Sequence, residues 1–393
     1  MHARTYLAGS ALFLLVLGCD DHSTAPPDSP ASDPQLSTTT AAALAFFQVS
    51  AGGGNTCAVT TSQVAYCWGN GTYGELGNGD VKDHDRPMAV AGGLVFRQIS
   101  AGTNNACGVT TDFRAYCWGD DGFGALGNGS EQGSLATPSR VAGGKQYRMV
   151  DAGHIHSCGV SYPDNRAYCW GLNGRGQLGN GTGSNVEESP VAVLGGQFRQ
   201  VTVGVDHSCG ITTDNQAWCW GDNQYGQVGD GSGGWKKLKP VRVAGGRQFR
   251  QIEAGDYYTC AVTTDDRAYC WGRNDGGQLG DGTFRERRSP VAVAGGLTFF
   301  RVTAAGVKTC AEGSAKRAYC WGTGPIGNGT SRSLKPAPVS GGLKFAQVSS
   351  GAGYTCGVTT DSQGYCWGGN GQGQLGDGTT TDRPTPVPVA SPE

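Results

Sequence analysis

Seven times in 393 residues this chain returns to one phrase, a Cys-Trp-Gly preceded by a short apolar stretch and followed by a glycine-rich turn. The first copy, CAVTTSQVAYCWGNGTYGELGNG, runs from Cys57 to Gly79. Its Cys67 recurs as Cys117, Cys169, Cys219, Cys270, Cys320 and Cys366, at intervals of 50, 52, 50, 51, 50 and 46 residues. A unit of that length cannot bury both its faces alone and must stack on its neighbours. Each copy holds four extended pieces, FFQVSAG, CAVTT, AYCWG and PMAV in the first, and glycine pairs such as Gly92-Gly93 punctuate the joins. Four strands per unit and seven units predict an all-β, seven-bladed β-propeller, because a closed ring leaves no large sheet edge exposed. The competitor is a linear solenoid. It expects polar capping repeats, and the first and last copies here are ordinary.

Fifteen cysteines divide into Cys19 and seven pairs: Cys57/Cys67, Cys107/Cys117, Cys158/Cys169, Cys209/Cys219, Cys260/Cys270, Cys310/Cys320 and Cys356/Cys366. With a three-residue turn centred on Ser62, Cys57 and Cys67 fall opposite one another on antiparallel strands. Their Cα atoms would then lie about 4.5–5.5 Å apart, close enough for a disulfide. The third pair is one residue longer, and its turn, Tyr162-Pro163-Asp164-Asn165, accommodates the extra residue as a loop. One cross-strand bridge per blade is the expectation in an oxidising compartment; seven pairs of reduced, packed thiols is the alternative. Zinc is not expected, since two thiolates per hairpin fall short of four ligands. Alternation puts Cys57, Val59, Ala65 and Cys67 on one face and Ala58, Tyr66 and Trp68 on the other. Both sets are apolar, as a blade sandwiched between blades requires. The seven repeat tryptophans therefore read as structural wedges, and Leu76, Leu126, Leu178, Val228, Leu279 and Leu375 as plugs.

The ends of the chain differ from the repeats. Residues 1–19, MHARTYLAGSALFLLVLGC, carry Arg4 and an apolar run from Leu7 to Leu17, too short for a comfortable transmembrane helix and suited to a signal peptide. Val16-Leu17-Gly18-Cys19 resembles the bacterial lipobox, which implies lipidation of Cys19 and its retention as the mature N-terminus. An ordinary secretory signal is the other reading. Residues 20–43 are rich in Pro, Ser, Thr and Asp and are expected to form a disordered tether. The propeller is expected over 44–390, with 391–393 as a tail.

The repeat itself carries a resemblance. AYCWGLNGRGQLGNGT (Ala167 to Thr182), preceded by AGHIHSCGV (Ala152 to Val160), is similar to the regulator-of-chromosome-condensation repeat family. All seven copies fit, which covers about 350 residues. The resemblance implies a seven-bladed propeller. It also offers precedents: nucleotide exchange on a Ran-type GTPase by the family's founder, and a β-lactamase-inhibitory propeller among secreted bacterial members. An exported protein would not meet a Ran-type GTPase, so the first is not expected here. The sixth repeat departs from the pattern, since TGPIGNGT (Thr323 to Thr330) lacks three residues and the Gly-Gln-Leu-Gly turn.

With recurring positions assigned to structure, the variable ones remain for function. Just before each first cysteine stand Asn55, Asn105, His156, His207, Tyr258, Lys308 and Tyr354, with His154, Asp206, Asp256 and Tyr257 beside them. Together they predict a polar and aromatic ring at one end of the central channel, a mix that protein-binding surfaces favour. The equal alternative is that they only satisfy loop backbones. Trp235, among Lys236, Lys237 and Lys239, is a second candidate anchor, and Tyr73, Phe123 and Tyr225 carry a weaker signal of the same kind. No Gly-x-Ser-x-Gly elbow accompanies Ser157 or Ser208, and a carboxylate pair would have to be assembled from Asp206 and Asp256. Charged residues make up 16% of the chain and net charge is −2, with no basic stripe for a phosphate backbone. The expectation is an exported, lipid-anchored, monomeric scaffold without catalytic activity, cofactor or nucleic-acid partner, which binds an envelope or extracellular protein. The rival readings are an envelope glycan hydrolase or lyase, and a structural surface spacer.

Overall fold

The computed structural model describes residues 44–392, apart from 131–132 and 184–185. The expectations for residues 1–43, lipidation of Cys19 among them, lie outside the described residues. Seven four-stranded antiparallel sheets follow one another along the chain, each built from four consecutive strands. In blade one these are β1 (Phe46–Ala51), β2 (Asn55–Thr60), β3 (Ala65–Gly69) and β4 (His84–Ala89), paired in that order. No blade mixes strands from the two ends of the chain. The first strand of every blade lines the central channel. Connections β1–β2 and β3–β4 share one end of the ring, where Asn70 N–H donates to Gly54 O (2.9 Å); this is the loop face. The β2–β3 hairpins occupy the opposite, hairpin face.

The expected pairing is present in every blade. Cys57 stands opposite Cys67, and the equivalent register recurs six more times. All seven bridges are formed, with Cα–Cα separations of 4.0–4.1 Å, tighter than the paired-strand estimate. The turn is three residues long, closed by Thr60 N–H to Val64 O (2.9 Å) and by the Thr60 hydroxyl, which also accepts from Val64 N–H (3.1 Å). In blade three the extra residue is taken up between Ser161 and Arg166 without disturbing the register. Each bridge closes a small ring and contributes on the order of 2–3 kcal/mol. Denatured, unreduced protein should therefore leave the fourteen repeat cysteines silent to a thiol reagent. Fourteen reactive thiols would refute the bridges.

Burial follows the predicted alternation. Cys57, Val59, Ala65 and Cys67 pack with Phe96, Ile99 and Trp118 of blade two, whereas Ala58, Tyr66 and Trp68 pack with Cys356, Val358 and Leu375 of blade seven. All seven repeat tryptophans are fully buried. Six of them donate Nε1–H to a carbonyl in the glycine-rich turn of the preceding blade, at 2.8–3.0 Å. Gly77 shows why that turn ends in glycine: a Cβ there would lie 2.6 Å from the Trp118 indole nitrogen, and its φ is +68°. Ile326 fills the plug position in the shortened sixth repeat.

Two further contacts join blades. One residue in each hairpin takes a left-handed conformation, φ 58–66°, at Gln63, Phe113, Asn165, Asn215, Asp266, Lys316 and Ser362. Its carbonyl accepts the N–H of the first aromatic of the next blade at 2.7–2.9 Å, and Phe46 N–H to Ser362 O closes the ring. On the first strands, Gln48, Gln98, Gln200, Gln251 and Gln347 each clasp the next blade. In blade one the Gln48 amide donates to Ile99 O (2.9 Å) and accepts from Ile99 N–H (3.0 Å). The other four repeat this with Val150, Ile252, Val302 and Val49. Such an amide imitates one residue of an added strand.

Candidate functional site

The residues before each first cysteine do not form a solvent-facing ring. Asn55, Asn105, His156, His207, Tyr258, Lys308 and Tyr354 are at most 2% exposed. Each begins the second strand of its blade, opposite the glycine of Cys-Trp-Gly, and five of them reach the next blade with their side chains. His156 Nε2 meets Ser208 Oγ (2.9 Å) and His207 Nε2 meets Thr259 Oγ1 (2.9 Å). Those hydroxyls donate to Gln177 O and Gln227 O (2.9 and 2.8 Å), so the imidazoles must carry their protons on Nε2. Burial holds both histidines down to about 3, which keeps them neutral at any ordinary pH. Tyr258 OH donates to Lys308 O (2.5 Å) and Tyr354 OH to Asn55 O (2.6 Å). The Asn55 amide reaches Asn105 O at 3.5 Å. Asn55, His156, His207, Tyr258 and Tyr354 thus hydrogen-bond between blades, a role that neither reading of the sequence named, while both polar atoms of the buried Asn105 amide have no partner among the described residues.

Lys308 departs from the pattern as well. Among the described residues its ammonium has no hydrogen-bond partner, and burial pushes its pKa down to about 7. Trp367 Nε1–H is also without an acceptor among the described residues; it is the one repeat tryptophan that follows the shortened sixth turn.

The neighbours of the buried ring do reach the surface, and they gather over blades three to five. His154 is exposed on the loop face, with Asp206, Asp256 and Tyr257 half-buried around it. Tyr225 and Tyr257 meet edge to face, ring centroids 5.6 Å apart. The guanidinium of Arg273 lies 5.7 Å from one centroid and 5.9 Å from the other, and is anchored to Asp275 Oδ2 at 2.5 Å. Asp256 Oδ1 accepts Gly306 N–H (3.0 Å), which fixes one loop tip against the next blade. Burial raises the Asp206 carboxyl above its usual range, helped by Asp222, while Arg175 and His154 oppose it. Asp256 is raised mainly by burial as well, and Tyr257 by burial and by Asp206 and Asp256. Trp235 stands 71% exposed on the blade-four loop that also carries Tyr225, and its carbonyl accepts Asn223 N–H (2.9 Å). Tyr73 and Phe123 are exposed at the same turn position of blades one and two.

Arg273 and Arg175 were not among the expected residues. Their positions, two and five residues past the repeat tryptophan, vary between copies, and that variability was the available signal. The assembled patch is a rigid aromatic pair with a stacked cation and half-buried acids, geometry that recognises a surface.

The profile of the RCC1-like domain matches residues 13–307, and that of the Regulator of chromosome condensation (RCC1) repeat matches residues 362–393. The Ultraviolet-B receptor UVR8 of Arabidopsis thaliana is 28% identical over 246 residues, which span 61% of this chain and 56% of UVR8. Among solved structures, human WBSCR16 superposes with a TM-score of 0.76 at 19% identity, covering 83% of this chain and 94% of its own. Prp20p of Saccharomyces cerevisiae gives 0.72 at 19% identity, covering 84% and 87%. At these identities the structures speak for the fold alone, but the first profile spans well over half of the sequence. The chain therefore belongs to the RCC1-like domain family.

Proposed function

We propose that the protein is a non-catalytic binding scaffold that captures another protein on its loop face, through the patch formed by Tyr225, Tyr257 and Arg273. The observation that carries this reading is the stacking of Arg273 against two tyrosines whose loops are tied down. Rigid aromatic and arginine side chains lose little entropy on binding and dominate binding energetics. The fold supports the same class of function; Prp20p is described with its binding to Gsp1p and histones. Export and attachment through a lipid on Cys19 belong to the proposal and rest on the apolar run Leu7 to Leu17 and the sequence ending in Cys19. The seven bridges support export, since such bonds persist in oxidising compartments.

The test is crosslinking in the native envelope, with full-length protein and a Tyr257→Ala/Arg273→Ala variant compared by mass spectrometry. A specific protein should be captured by the parent and depleted about tenfold or more in the variant, the equivalent of one strong contact. Identical capture by both would refute the patch. Release of a chemically altered glycan by the purified protein would refute the absence of catalysis.

A further inference from the structure

The seven first strands enclose a lumen whose two halves meet at a neck, lined by Ser50, Ser100, Asp151, Glu253, Thr303 and Ser349. Toward the hairpin face the lumen widens into a chamber of about 610 Å³, within the range of small-molecule sites. Its wall includes Arg199, Arg250 and Arg301, from three consecutive blades. We propose that this chamber binds a small, acceptor-rich anion, a phosphate ester or a polycarboxylate, with Arg301 as its principal contact.

Charge comes first. Arg199 donates to Asn215 Oδ1 (3.1 Å) and to the carbonyls of Phe249 and Arg250 (both 2.9 Å), all neutral acceptors that leave its charge uncancelled. Arg250 is paired with Asp266 (2.6 Å). Arg301 is exposed, and no hydrogen bond or ion pair engages it among the described residues. The acids that face it are Glu253 and Glu312, and burial holds both carboxyls above their usual range, Glu312 to about 7. Glu312 is only part-ionised at neutral pH, and neither acid forms an ion pair with Arg301 among the described residues. Asp151 accepts from the Ser100 hydroxyl (2.8 Å) and Val203 N–H (2.9 Å), neutral donors that leave its charge in place, but it belongs to the neck, whereas Arg199, Arg250 and Arg301 line the chamber.

The hydrogen-bonding direction of the neck agrees. Ser50 Oγ accepts Ala101 N–H (2.9 Å), Thr303 Oγ1 accepts Ser350 N–H (3.0 Å), and Ser349 Oγ accepts Ala51 N–H (3.0 Å). Each hydroxyl keeps its own proton, for which the described residues show no acceptor. Apart from the Asp151 and Glu253 carboxyls of the neck, these groups donate, through guanidinium N–H in the chamber and hydroxyl O–H in the neck. A planar guanidinium suits the paired oxygens of carboxylate or phosphate. A cationic ligand would meet repulsion, and an apolar one would bury donors unpaired.

Calorimetric titration of the full chain at low salt, with inorganic pyrophosphate and with citrate as probes, tests the site. Saturable binding of at least one is expected, and the preferred probe decides between phosphate ester and polycarboxylate. Arg301→Gln, at an exposed position, should keep the fold and weaken binding by about tenfold or more. Tyr257→Ala on the opposite face should bind the probe as the parent does, so this site and the loop-face patch can fail separately. Absence of binding by both probes, or undiminished binding by Arg301→Gln, would overturn the proposal.

Discussion

Lys308→Tyr is expected to stabilise the ring at pH 7 by on the order of a few kcal/mol. The lysine begins the second strand of blade six with its ammonium buried, and among the described residues it has no hydrogen-bond partner and no carboxylate to offset its desolvation. Blades five and seven carry tyrosine in the same column, where the hydroxyl donates to a carbonyl of the next blade. The substitution therefore installs a group the neighbouring seams already accommodate. The sign of the pH dependence separates this cause from general repacking. The folded pKa, about 7, lies below the ordinary lysine value of 10.5, so the unfolded chain binds more protons between those values. Stability of the parent should fall as pH drops through that window, by up to about 1.4 kcal/mol per unit. Glu75 and Glu312, raised to about 7, act with the opposite sign, but their change is largely complete below pH 8. Urea unfolding between pH 8 and 9, below the range where the unfolded chain's tyrosines ionise while buried Tyr147, Tyr258 and Tyr354 stay protonated, should then show stability rising with pH in the parent and no such rise in the variant. Parallel profiles would show that Lys308 is not the buried charge described.

The second large effect falls on the tryptophans. Trp271→Ala should lower stability by about 3–5 kcal/mol, the range for truncating a large buried aromatic. The indole is fully buried beside Phe249 and Ile252, and its Nε1–H occupies Gln227 O at 2.9 Å. Phenylalanine at either position leaves the same cavity, so the difference between the two isolates the hydrogen bond. Trp271→Phe should cost about 1 kcal/mol more than Trp367→Phe, because the Trp367 indole nitrogen has no acceptor among the described residues to lose. Denaturant midpoints of the two phenylalanine variants make the comparison. Equal losses would mean that the sixth turn supplies an acceptor after all.

These two sites show how far sequence reasoning reached. The spacing of Cys57 and Cys67 sets the hairpin and its register, because both residues belong to one local turn. Alternation placed Val59 and Trp68 on opposite faces correctly for the same reason. His156 and Tyr258 were harder. Each sits at the end of a strand, where a side chain can turn to solvent or to the neighbouring blade. Only the hydroxyl at Ser208 or Thr309, about 50 residues later, decides between them. The Gln48 clasp escaped notice because its partner, Ile99, is equally remote. At the patch, His154, Asp206 and Tyr257 were legible as variable loop residues. Arg273 acquires meaning only when blade five meets Tyr225 of blade four. The sixth repeat's deletion was visible as missing letters, but its effect on Trp367 depended on knowing which group the lost turn would have received.

Every covalent bridge stays inside one hairpin, while the contact between blades seven and one is of the same non-covalent kind as the other six. A reductant would thus loosen seven small loops independently and leave the circle intact. Mechanical load would have the reverse outcome, parting the circle along one seam while each wedge kept its shape. The molecule resembles a hoop of riveted staves held by their mutual fit, and such a hoop has no preferred place at which its circumference must begin.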